Sequence, residues 1–178
     1  MEMDRYLDEV LAIQPDYYSA LHLKGEYYYN AKEPVKAYKF LNEALNKFKY
    51  QPDFTKDEFY RETENCGKTH MYLGNIFYYY FDKVKSRGSE LDDEIIDDKI
   101  QKMENYNSAL THYTTALNDF NYSSSELYYN MGRICYLKEQ YTLALNLWLH
   151  LYDDFVKSPE LMLALGNAFY NSGNGTTQ

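Results

Sequence analysis

The sequence predicts an all-α protein, a solenoid of stacked helix pairs with a helical insertion in the second repeat. Three observations carry this. Gly25, Gly74, Gly132 and Gly166 sit inside one local pattern, best seen in Tyr128-x-x-Met131-Gly132-x-x-Cys135 and Met162-x-x-Leu165-Gly166-x-x-Phe169. Gly132 and Gly166 are 34 residues apart, so the pattern has a period. Twelve residues beyond Gly25 and Gly132 come Ala37 and Ala144, each followed four positions on by a large residue, Leu41 or Trp148. One small residue per helix, a large one a turn later and a fixed period describe helices packed in pairs.

The elements follow in order. Met3, Leu7, Val10 and Pro15 match the second half of a repeat, so a partial repeat over 3–15 carries a leading helix at 3–14. Repeat one covers 18–51, with a first helix over about 17–31. Pro34 then stands in the first turn of a second helix, where its missing N–H has no cost.

Repeat two, 55–121, has an extended first helix. Thr55-x-x-Glu58 reads as a capping box with Phe54 and Phe59 as its hydrophobic staple. A four-three rhythm through Cys66, His70, Leu73, Phe77, Phe81 and Val84 predicts one helix of ~30 residues, with Gly67 weakening it by ~1 kcal/mol. An insertion at about 82–105 follows: a turn at 86–89, then the stripe Leu91, Ile95, Ile96, Ile100 and Met103. Asn105-Tyr106-Asn107 resembles a turn, which makes 90–104 a separate third helix; one long helix over 90–120 is the competing reading.

Repeat three, 125–158, opens with a capping box at Ser123-x-x-Glu126 flanked by Tyr122 and Leu127, and its helices span about 124–138 and 141–155. Ser158-Pro159 starts the last helix, in a partial repeat at 159–178. The expectation is a single domain over 1–178, cut from a longer array.

Composition narrows the function. A net charge of −9 and the lack of any basic run argue against a nucleic-acid scaffold. No stretch approaches the roughly 20 apolar residues that span a bilayer, and MEMDRYLDEV does not read as a signal peptide. The 22 tyrosines read first as inter-helix filler. Cys66 and Cys135 fall about 16 Å apart along the helix axis on neighbouring helices, too far for a bridge, and are expected as free thiols compatible with a cytoplasmic setting. Asn121-Tyr122-Ser123 and Asn174-Gly175-Thr176 match the glycosylation triplet, but such triplets are common by chance.

Sites for chemistry are missing from the pattern. The acids Asp92, Asp93, Glu94, Asp97 and Asp98 lack the spacing and central glycine of a calcium loop and suit a solvated helix start. His22, His70, His112 and His150 have no ligand partner within a turn, and His70 is expected as a packed residue. No nucleophile elbow or phosphate loop occurs. The expectation is therefore no enzyme, no cofactor and no metal.

The repeated large-x-x-large-Gly-x-x-aromatic followed by Ala-x-x-x-large resembles the tetratricopeptide repeat (TPR) family across nearly the whole chain. The resemblance implies a right-handed α-α superhelix whose first helices line a concave groove that holds peptides or partner helices. Carried onto this chain, it places Lys68, Tyr72 and Asn75 of repeat two beside Tyr129, Asn130 and Arg133 of repeat three as the partner-binding line. Tyr29, Tyr78, Tyr136 and Tyr170 recur at the twelfth position. The carboxylate-clamp subclass does not fit: Asn75 and Asn130 match, but Met71, Glu160 and Ala164 stand where its cations belong.

The function this implies is a non-catalytic protein–protein interaction scaffold binding a peptide or partner subunit. The rivals are a structural subunit of a large assembly and a regulatory arm of an enzyme outside this segment. Self-association through exposed repeat ends or the insertion is a further possibility.

Overall fold

The computed structural model describes residues 2–48, 55–80, 98–154 and 157–174. Among the described residues there are eight α-helices and no strand. We number them α1 (Glu2–Ile13), α2 (Tyr18–Asn30), α3 (Pro34–Lys47), α4 (Lys56–Tyr79), α5 (Asp98–Asn118), α6 (Ser125–Leu137), α7 (Tyr141–Asp154) and α8 (Pro159–Asn174). Contacts group them into two compact units, Met1–Tyr122 and Ser123–Gln178, divided where repeats two and three were expected to meet.

In the first unit, α2 pairs with α3 and α4 with α5, while α4 also packs on α2 and α3. The glycines explain the closeness of the pairs. A Cβ on Gly25 would lie 2.6 Å from the Leu41 side chain, and one on Gly74 would lie 2.5 Å from the Tyr113 ring. Gly67, read from sequence only as a weak point, faces Tyr122 and Phe120, so its bare Cα admits the chain leaving α5. Tyr18, Leu21, Ala44 and Cys66 form a buried cluster, with Leu11, Phe40, Phe48 and Phe120 packed around it.

A buried cation pins α1 to α2. Lys24 is 3% exposed, its Nζ 3.1 Å from Asp4 Oδ1 and also on the Asp8 carboxylate. Tyr28 Oη donates to Asp4 Oδ2 at 2.9 Å. Burial opposes both charges, but the mutual hydrogen bonds prevail, so the Lys24 ammonium is held above its ordinary pKa and the Asp4 carboxyl below its own. Without both carboxylates the Lys24 ammonium would be a buried unpaired charge, costing several kcal/mol.

In the second unit, α6 pairs with α7, and α7 packs on α8. Gly132 admits the Trp148 indole, whose Nε1 donates to the Tyr129 carbonyl at 3.2 Å. Ser158 Oγ accepts from Leu161 N at 3.2 Å, so Ser158 caps α8 as expected.

The turns α2–α3 and α6–α7 share one design. Lys32 (φ 61°) and Glu139 (φ 62°) both adopt the left-handed region. Each N–H returns three residues, to the Tyr29 and Tyr136 carbonyls, while the next N–H reaches Tyr28 or Cys135 five residues back. This is the double closure of a Schellman motif.

Three expectations are corrected. Asn105-Tyr106-Asn107 is no turn: α5 runs through it unbroken, because Asn105 and Tyr106 are buried and the Tyr106 ring lies 5.8 Å from Tyr78 of α4. For the described part, 98–118, the long-helix reading holds. The extended first helix has 24 residues, with Tyr80 already in a turn, not ~30. The cap of α6 is Ser124, which accepts from Leu127 N at 3.2 Å, not Ser123. Asn121 (φ 50°) redirects the chain and Tyr122 packs on Gly67, so the backbone is still extended at Ser124. The staple of Phe54 and Phe59, the Glu58 side chain, Phe81, Val84, the 86–89 turn, the stripe from Leu91 to Ile96, the acids at 92–97 and the Asn174 triplet lie outside the described residues.

Candidate functional site

The six residues expected to form one binding line fall three in each unit, and the two sets differ in kind. In the first unit the line is closed. Tyr72 is 8% exposed; its ring lies 4.7 Å from Tyr29, and its Oη donates to Glu26 Oε1 at 2.6 Å. Burial, reinforced by Glu26, raises the Tyr72 hydroxyl well above its usual pKa. Lys68 Nζ lies 3.6 Å from the same carboxylate oxygen.

Asn75 is fully enclosed, at 0% exposure. Its Nδ2 donates to Tyr29 Oη at 3.0 Å and its Oδ1 accepts from Tyr113 Oη at 2.6 Å. It joins α2, α4 and α5 and offers nothing to a visiting chain. Asn130 is likewise at 0% exposure. A partner-binding role for these two residues does not fit their enclosure: tyrosine hydroxyls hold the Asn75 amide, and Asn130 is fully buried.

In the second unit the corresponding positions open into a cleft of about 420 Å³ between α6, α7 and α8. Tyr129, Arg133, Tyr136 and Trp148 line one side, and Glu160, Leu163, Ala164 and Asn167 the other. Arg133 is exposed and lies over the Tyr129 ring, 6.0 Å from its centroid. Asn171 Nδ2 donates to Tyr136 Oη at 2.6 Å, fixing that ring at the rim. A second hollow of about 320 Å³ continues past Tyr129 and Glu160 to Ser125, Glu126 and Leu161. Glu160 stands in the first turn of α8, where a backbone N–H and the Ser158 hydroxyl hold its carboxyl below the usual value. The result is an apolar floor with one cation, one carboxylate and an amide on its edge, within the size range of ligand sites.

Of the expected residues, Tyr129 and Arg133 reach this cleft. Glu160, Leu163, Ala164 and Asn167, which stand at the groove positions of the last repeat but outside the six-residue line, complete it. The smallness and apolarity of Leu163 and Ala164 are what leave the space open.

One buried arrangement imitates a nucleophile–base–acid relay. His22 Nδ1 lies 2.6 Å from Thr69 Oγ1, and His22 Nε2 lies 3.8 Å from Glu26 Oε2. It is sealed: Thr69 is at 0% exposure and His22 at 1%. Thr69 donates its own proton to the Asn65 carbonyl at 2.8 Å, so the His22 Nδ1 carries the shared hydrogen. Burial, against the pull of Glu26, pushes the imidazole down to about 4.

His70 and His112, 42 residues apart in sequence, meet with their Nδ1 atoms at 2.9 Å, between Phe120 and Phe77. Burial lowers both, His112 to about 4. Among the described residues no group of three His, Cys, Asp or Glu could hold a metal. Cys66 and Cys135 are free and buried, and burial pushes the Cys66 thiol up to about 12. Such thiols are poor nucleophiles. Among the described residues no helix is long and apolar enough to cross a membrane.

The chain matches no protein-family model and no curated protein.

Proposed function

We propose that this chain is a protein-interaction module of tetratricopeptide-repeat type, a right-handed superhelical scaffold that binds a peptide or partner segment and has no chemistry of its own. The observation that carries the reading is the cleft of the second unit. It is lined by the fifth, ninth and twelfth positions of repeat three (Tyr129, Arg133, Tyr136) and the second, fifth, sixth and ninth of the partial repeat at 159–178 (Glu160, Leu163, Ala164, Asn167). All but the twelfth are positions that the resemblance assigns to partners. Rigid tyrosines beside an exposed arginine are the side chains most enriched at binding hot spots. The occupant is an extended segment that lays an apolar side chain over Leu163 and Ala164 and sets a carboxylate or carbonyl near Arg133.

Trp148, the sole tryptophan, lines this cleft and makes it spectroscopically visible. Titrating the protein with a library of short peptides bearing a central Leu or Phe should shift Trp148 emission for a binding subset. Ala164→Tyr should fill the cleft and weaken that response at least tenfold while leaving helicity and melting unchanged. Binding undiminished in Ala164→Tyr would place the docking surface elsewhere.

A second reading, a structural subunit of a larger assembly, is favoured by the apolar outer face of α8, where Met162 and Phe169 are 52% and 54% exposed.

A further inference from the structure

The groove of the second unit is electrically ordered along its length. Its near end is acidic. The hollow of about 320 Å³ is lined by Glu126 from the first turn of α6 and Glu160 from the first turn of α8, both exposed. The groups that hold the Glu160 carboxyl, a backbone N–H and the Ser158 hydroxyl, are neutral and leave its charge in place. The far end is a set of donors. Arg133 is exposed there, Tyr136 Oη accepts from Asn171 Nδ2 and keeps its own hydrogen to give, and Asn167 lines the α8 wall. Between the two ends Tyr129, Leu163 and Ala164 make an apolar stretch.

The spacing of the ends is fixed by the helices. Arg133 follows Glu126 by seven residues on α6, and Asn167 follows Glu160 by seven on α8. Seven residues are two turns, about 10.5 Å, which an extended chain covers in about three residues. Charge disfavours other occupants. A phosphodiester or an acidic tract would meet Glu126 and Glu160, and a basic tract would meet Arg133. A methylated ammonium among Tyr129, Tyr136 and Trp148 would share those rings with the Arg133 guanidinium, already 6.0 Å from the Tyr129 centroid.

Resting on the interaction module proposed above, we infer that its partner is an internal protein segment of mixed charge. In that segment a Lys or Arg and an Asp or Glu stand three residues apart, with an apolar side chain between them. The basic residue lies on Glu126 and Glu160, the apolar one over Leu163 and Ala164, and the acid on Arg133. Exposed pairs of this kind each add little affinity. The apolar contact therefore holds the segment, and the charges select it, because a segment with one charge reversed sets like against like at one end.

Short peptides with blocked ends and a neutral dye, titrated with the whole chain at low salt and followed by fluorescence anisotropy, test this. A peptide with the core Lys-Leu-Ser-Asp should bind about tenfold more tightly, or better, than one with Lys-Leu-Ser-Lys or Asp-Leu-Ser-Asp. Arg133→Glu makes both ends acidic and should invert the order, so that Lys-Leu-Ser-Lys binds best. Far-UV circular dichroism should show native helicity in that variant, and the comparison of peptides on the unaltered chain does not depend on it. Equal binding of the three peptides, or equal binding of Ser-Leu-Ser-Ser, overturns the charge order and leaves the cleft as a docking site. Failure of these peptides and of the Leu- and Phe-centred library alike overturns the cleft reading as well.

Discussion

The α2–α4 line of the first unit and the α6–α8 line of the second use the same repeat positions and reach opposite outcomes. At the ninth position of the leading helix stand Glu26 and Arg133; at the second of the following helix, Lys68 and Glu160. The charges are exchanged. At the sixth position Tyr72 faces Glu26, whereas Ala164 lies in the cleft beside Arg133. A large hydroxyl-bearing ring bridges the helices in one unit, and a methyl leaves about 420 Å³ open in the other. The lesson is that the face of a helix pair is set by its register, but whether that face is a seam or a site is set by the size of one residue.

The largest test of this difference is acid. His22 is buried and His70 and His112 half-buried, all in the first unit and all lowered when folded. The unfolded chain therefore binds more protons as pH falls, and stability, full above about pH 6.5, declines toward pH 4. A fall from 6.5 to about 4 makes His22 alone worth on the order of 3 kcal/mol. Denaturation followed by far-UV circular dichroism at pH 7 and pH 4.5 should show this loss. His22→Gln should reduce it. Trp148 emission, reporting on the second unit, should move less; equal movement would mean that the units unfold together.

Next in size is a pair of glycine replacements. Gly132→Leu should lose about 1–3 kcal/mol by overpacking against Trp148. Gly166→Leu, where a Cβ would meet nothing within 4 Å, should be neutral or gain up to about 1 kcal/mol of helix propensity. Equal melting temperatures would break the distinction between a crowded and an open glycine.

Smaller still is the polar seam. Tyr72→Phe removes a hydrogen bond to a carboxylate and should cost about 1–2 kcal/mol. Lys68→Ala, at a pair 36% and 23% exposed, should cost well under 1 kcal/mol in chemical denaturation.

Much of this architecture can be read from residue order. Pro34, Pro159 and Ser158 announce helix starts, and the glycine register foretells which helices touch. What stays hidden depends on partners distant in sequence. Asn105 and Tyr106 carry a turn's composition but are held helical by packing on α4. His70 finds His112 across two antiparallel helices, beyond any search within a turn. Asn75 and Asn130 lie on the expected face, yet only their neighbours' bulk tells that they are enclosed. The cleft was half visible: Tyr129 and Arg133 stood out by chemistry, while Leu163 and Ala164 matter by what they lack.

The matched turns at Lys32 and Glu139 have a consequence for engineering. Both residues hold a Cβ against the following carbonyl in a backbone geometry that disfavours L side chains by roughly 1–2 kcal/mol. Glycine escapes that crowding, at an entropic cost of about 0.5–1 kcal/mol. Lys32→Gly and Glu139→Gly should therefore each raise the midpoint of unfolding slightly, with no change in any helix contact. These turns are a latent reserve of thermal tolerance, set in backbone geometry rather than in side-chain packing.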